Sequence, residues 1–74
     1  MKRNYRLVGL DCAHCAAKME KKINAIDGVN EGVVNFMTTK LILDMDDSKN
    51  VDEILAKVEA AVKDVDPEVE MKRA

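Results

Sequence analysis

Gly9-Leu10-Asp11-Cys12-Ala13-His14-Cys15 holds both cysteines and the one histidine of the chain. Two hydrophobic periods meet at this stretch. Before it, Tyr5, Arg6, Leu7 and Val8 alternate as a strand does, changing face at every residue. After it, Ala16, Met19, Ile23 and Ile26 recur at the three- and four-residue spacing of one helix face. The stretch is therefore a strand-to-helix junction. The rest of the chain must supply the sheet and the second layer against which this strand and this helix pack.

Outward from the junction, a strand is predicted over residues 5–10, with Tyr5, Leu7 and Gly9 on one face. A helix is predicted over 13–27, with Lys18, Lys21, Lys22 and Asn24 toward water and Gly28 as its left-handed stop. Residues 29–35 read as a strand in which Gly32, Val34 and Phe36 share a parity. Met37-Thr38-Thr39-Lys40 is the turn of an antiparallel hairpin, and Leu41, Leu43 and Met45 point inward from its second strand. Asn50 is suited to cap a helix, with Glu53 three positions on in the capping-box place. Val51, Ile54, Leu55, Val58, Ala61, Val62 and Val65 form the apolar stripe of that helix. Asp66-Pro67 ends it, because a residue before proline avoids helical geometry. Residues 68–72 alternate as a short last strand.

The order βαββαβ is the split βαβ, ferredoxin-like α+β arrangement: a four-stranded antiparallel sheet with two helices on one face. Residues 1–74 are expected to form one domain. The open sheet face should carry Arg6, Asn35 and Asp44, and the loop around Pro67 should approach the cysteine loop.

Composition narrows the function. Hydrophobic residues make up 47% of the chain, yet there is one Phe, one Tyr and no Trp, so the core is aliphatic. Charged residues of both signs make up 35%, as in a folded chain rather than a disordered one. With a net charge of −2 and a pI near 5.3, the chain lacks the cationic footprint of a nucleic-acid binder. No apolar run approaches the roughly 20 residues of a membrane span, so no direct membrane insertion is expected. The basic start is not followed by an apolar signal region, and a cytoplasmic setting is expected. In that reducing setting, paired cysteines point to metal binding or redox catalysis before a structural disulfide.

Cys12 and Cys15 are spaced to face one point, and the first helical turn favours negative charge there. Two thiolates suit Cu(I), Zn(II), Cd(II) and other soft or borderline ions. Two ligands are too few for a closed structural zinc site, which has four, so the site is expected to be open and able to exchange its ion. Asp11 has two readings. Its carboxylate is either a third, hard donor that favours a divalent ion over Cu(I), or the cap of the helix that follows. His14 is expected to face solvent. Met19, Met37, Met45 and Met71 are expected in the core or on sheet faces. Lys18, Lys21 and Lys22 read as a solvated helix face, and Asp46-Asp47 as an acidic turn.

On these residues the chain resembles the heavy-metal-associated (HMA) domain family. The family's Gly-Met-x-Cys-x-x-Cys loop is matched by residues 9–15. Ile26-Asp27-Gly28-Val29 and Val34-Asn35-Phe36 resemble its downstream landmarks. The family includes copper chaperones and the cytosolic N-terminal domains of metal-transporting P-type ATPases. Copper-binding members usually carry Met and then Ser or Thr before the first Cys, where this chain has Leu10 and Asp11. An Asp-Cys-x-x-Cys loop is similar to that of zinc, cadmium and lead exporters, in which the Asp can be a ligand. The Tyr or Lys that copper proteins often place near the site is missing at Asp66-Pro67.

The resemblance implies a metal-binding domain, not an enzyme, that captures one soft divalent ion, Zn(II), Cd(II) or Pb(II), through Cys12, Cys15 and Asp11. It would pass that ion on by ligand exchange as part of, or partner to, an efflux P-type ATPase. The ATPase activity would lie outside this chain. A Cu(I) chaperone or copper-ATPase domain is the alternative, and a thiol–disulfide oxidoreductase is a third reading. A monomer is expected, with a metal-bridged dimer at high concentration.

Overall fold

The computed structural model describes residues 1–73. Its elements are β1 (Lys2–Val8), α1 (Ala13–Asn24), β2 (Val29–Asn35), β3 (Lys40–Met45), α2 (Val51–Val65) and β4 (Glu70–Arg73). The strands form one antiparallel sheet in the order β2-β3-β1-β4, the ferredoxin-like arrangement that the element order predicts. Tyr5, Leu7, Leu41, Leu43 and Met45 from the sheet meet Ala16, Met19 and Ile23 of α1 and Ile54, Val58 and Val62 of α2 in one core. Burying each large aliphatic side chain contributes about 1.5–3 kcal/mol. No charged side chain is buried among the described residues, so the core is apolar throughout.

Several boundaries differ from the sequence reading. β1 begins at Lys2, because pairing with β3 starts at Lys2 opposite Asp44. It stops at Val8, because Gly9 turns the backbone out of the sheet with φ +92. That conformation suits glycine, and it leaves Gly9 exposed rather than on the inner face. Leu10 is outside the strand but folds back into the core, 6% exposed. β4 starts two residues late, because Val69 donates to the Asp66 carbonyl at 3.2 Å and Glu68 to the Asp66 carboxylate at 3.1 Å, making a turn of residues 66–69. The hairpin turn lies one residue earlier than expected, since Lys40 already pairs with Asn35. Met37 stands at that turn and is 89% exposed, so it is not a core residue; Met19 and Met45 are.

α1 ends at Asn24, three residues before its predicted end at residue 27, and Asn24 does not simply face water. Its side chain donates to the Gly32 carbonyl at 2.8 Å and accepts from the Gly32 N–H at 3.0 Å. An Asn that can bond backbone outside the helix competes with helix continuation. Ala25 and Ile26 then close the end with tight bonds to the Lys22 and Ile23 carbonyls. Gly28 has a positive φ, but in the loop beyond this end. One turn earlier, the Glu20 carboxylate accepts the Val34 N–H at 2.9 Å. These bonds seal the outer edge of β2. They require close approach: a Cβ on Gly32 would stand 2.6 Å from Ile23 Cγ2.

Candidate metal centre

The cysteine loop leaves β1 through Gly9, is anchored by buried Leu10, and enters α1 at Ala13. Cys12 is the N-cap of α1, with extended backbone (φ −129, ψ 117) and a sulfur that accepts the Cys15 N–H at 3.3 Å. Cys15 lies in the first turn and packs partly against the core. Both thiols are free and half-buried. The fold thus brings together the two sulfurs that the sequence singles out.

Their environments differ. The Cys15 thiol donates a hydrogen bond to the Cys12 sulfur and the Cys15 backbone N–H adds a second, which lowers the Cys12 pKa below its ordinary value. The neighbouring Asp11 charge pulls the other way. Cys15 is pushed up because its proton is held in that bond, because burial disfavours its thiolate, and because the charges of Cys12 and Asp66 repel it. Lys18 opposes this. Cys12 is therefore the more readily ionised of the two sulfurs. A soft cation that replaces the shared proton meets two converging sulfurs.

Asp11 is exposed, and the cap that the sequence could have assigned to it belongs to Cys12. Among the described residues its carboxylate makes no hydrogen bond or ion pair. No three His, Cys, Asp or Glu side chains of the described residues are gathered into a ready-made site. His14 is exposed beside the loop, as expected. The turn of residues 66–69 reaches the site, as expected: the Glu68 carbonyl would touch a Cβ on Gly9 at 3.4 Å, and the Asp66 charge acts on Cys15. The sequence reading did not find the role of Cys12 as a cap. The signal was present, since Cys12 stands immediately before the first helical residue, in the place that Ser or Asp usually fills.

The model of the family described as "Heavy-metal-associated domain" matches residues 4–64. The chain belongs to the heavy-metal-associated family. This HMA chain is 38% identical over 73 residues to a cadmium, zinc and cobalt-transporting ATPase of Bacillus subtilis, covering 99% of itself and 10% of that protein. It spans about a tenth of the length of the curated relatives it matches. Among solved structures, the N-terminal domain of ZntA in its Zn(II) form aligns with TM-score 0.73 at 32% identity, covering 97% of this chain and 89% of that one. The CopZ metallochaperone aligns with TM-score 0.75 at 25% identity, covering 96% and 98%. The HMA chain is thus a heavy-metal-binding module related both to P-type ATPase domains and to copper chaperones. No helix among the described residues is long and apolar enough to cross a membrane.

Proposed function

We propose that residues 1–74 form one HMA domain that captures a soft divalent ion, Zn(II), Cd(II) or Pb(II), and hands it on in the cytoplasm as part of, or partner to, an efflux P-type ATPase. Cys12 and Cys15 are the sulfur ligands and Asp11 is the oxygen ligand. The observation that carries the choice of ion is the Asp11 carboxylate. It adjoins Cys12, it is exposed, and Cys12 rather than Asp11 caps α1. The carboxylate thereby keeps its lone pairs for a cation, and a hard oxygen beside two sulfurs favours a divalent ion. Relatives named as transporters of cadmium and zinc support the same reading.

Capture begins at the Cys12 thiolate, and Cys15 loses its proton as the second sulfur binds. With few ligands and half-exposed sulfurs, the ion stays open to attack by a receiving site, which takes it ligand by ligand. A Cu(I) cargo is the second reading, favoured by the likeness to the CopZ metallochaperone and to a potential copper-translocating ATPase domain of Bacillus subtilis, the latter with TM-score 0.75 at 26% identity.

X-ray absorption of the Zn(II)- and Cd(II)-loaded chain, with competition titrations of wild type and Asp11→Ala, separates the two. The divalent reading expects oxygen beside sulfur in the first shell. It also expects Asp11→Ala to weaken Zn(II) and Cd(II) while leaving Cu(I) unchanged. A sulfur-only shell with unchanged Zn(II) and Cd(II) affinity removes Asp11 from the site and leaves the Cu(I) reading in front.

A further inference from the structure

The two edges of the sheet are treated differently. The outer edge of β2 is sealed by Asn24 and Glu20 of α1. The outer edge of β4 has no strand beside it among the described residues, and it borders a cleft of about 270 Å³ lined by Glu59 and Lys63 of α2 and by Glu70, Met71 and Lys72.

We propose that this edge pairs with the same edge of a second copy of the chain. The partners would be antiparallel, with a two-fold axis at Met71 that joins two four-stranded sheets into one of eight strands. Backbone parity supports that register. Leu7 sends its N–H toward the β3 side, to the Thr39 carbonyl at 2.8 Å. Antiparallel residue pairs alternate between bonded and non-bonded, so Met71, opposite Leu7, directs its own N–H and carbonyl away from β1. Two copies meeting at Met71 exchange both of those bonds.

Side chains select the same register. Glu70 and Lys72 lie on the open sheet face, exposed, one residue to either side of Met71. Antiparallel pairing about Met71 sets Glu70 of each copy opposite Lys72 of the other, twice, and brings the two half-buried Met71 side chains together beneath the helices. The pair has a reason to exchange. Within one copy, Lys72 lies opposite Arg6, which itself lies opposite Lys40, so three cations run in a row across the sheet. Among the described residues, the carboxylate that Lys72 reaches is its own Glu70, at 3.7 Å. A second copy supplies a carboxylate on its free side. Cations on an edge strand ordinarily repel other edges. Glu70 reverses that for this one partner and register. Glu59 and Lys63 repeat the reversal of sign on α2 above the same cleft.

The contact is short, and so it is weak and requires high concentration. The test is sedimentation equilibrium of the metal-free, reduced chain with chelator present, from about 10 μM to about 1 mM, a range that reports weak association. Wild type shows a mass rising toward the dimer. Glu70→Lys and Lys72→Glu alone each place like charges opposite one another and weaken association by roughly tenfold or more. An equimolar mixture of the two variants, or Glu70→Lys with Lys72→Glu in one chain, restores it. The Cys12→Ser/Cys15→Ser chain associates as wild type does. Wild type monomeric at the highest concentration, single variants that associate unimpaired, a mixture that stays monomeric, or loss of the dimer with the cysteines each overturns the proposal. The last outcome would assign any dimer to metal or thiol bridging.

Discussion

Helix α2 begins with Asn50, whose side-chain oxygen accepts the N–H groups of Asp52 at 3.1 Å and Glu53 at 3.4 Å, and two acids occupy its first turn. Helix α1 begins with Cys12, whose sulfur accepts one N–H, that of Cys15, at 3.3 Å, and its first turn has no acid. The first start satisfies the helix with its own permanent groups. The second leaves the unpaired N–H groups and the positive end of the helix dipole to act on two sulfurs. A permanent acid in that turn would stabilise α1 but would repel the thiolates, so on the proposed function a metal site there excludes the better cap.

Exchanging the cap atom breaks this contrast with the largest effect. On the proposed function, Cys12→Ser abolishes tight metal binding in a competition titration. Serine is a strong cap, so the metal-free variant is expected to be as stable as wild type or more so, by up to about 1 kcal/mol. Thermal unfolding of the metal-free chain measures this. A destabilised Cys12→Ser chain would mean that sulfur caps α1 better than oxygen does and that the start of α1 gives up nothing.

The matching change at the other helix is Asn50→Ala. It removes both accepted hydrogen bonds at the start of α2. The expected loss is about 1 kcal/mol of stability. For a domain of this size that lowers the midpoint of thermal unfolding by about 4–8 °C. Metal affinity should not change. A fall in affinity comparable to the fall in stability would show that the two helix starts are not separable and that the α1 site leans on α2.

The same contrast explains what the sequence made legible. α2 follows local rules throughout: Asn50 as cap, a stripe through Ile54, Val58 and Val62, and Asp66-Pro67 as stop. Its observed bounds, Val51–Val65, are the predicted ones. The strand order follows from the element order, and the junction that holds Cys12 and Cys15 follows from the change of period. α1 was legible in its buried face and in its start at Ala13, but not at its C-terminal end, which is set by a contact across the fold. The Asn24 side chain reaches the backbone of Gly32, eight residues on, and nothing local to Asn24 announces that. At the other end, a cysteine in a cap position reads as a ligand before it reads as a cap. β4 was misplaced for a similar reason. Val69 has the alternation of a strand but spends its N–H on Asp66. The reading of Asp11 as either ligand or cap is narrowed by one structural fact, that Cys12 holds the cap position.

The smallest effect sharpens the contrast inside the α1 start itself. The Cys12 pKa is lowered by the bond from Cys15, while that of Cys15 is raised by the same bond, by burial and by the charges of Cys12 and Asp66. A lowered thiol pKa means a larger thiolate fraction at a given pH, and the thiolate is the nucleophile. Initial rates of alkylation in the metal-free chain, followed by mass spectrometry, should therefore favour Cys12 near neutral pH. The preference should shrink as pH rises and Cys15 also ionises. Asp66→Asn removes one of the charges that repel the Cys15 thiolate, so the onset of Cys15 alkylation should move to lower pH while the initial rate at Cys12 stays where it was. Lys18→Ala should move the Cys15 onset the opposite way, because Lys18 favours that thiolate. If Cys15 reacts first, the shared proton sits on Cys12. Metal capture would then begin from inside the helix, and the cap atom would be the second sulfur to bind.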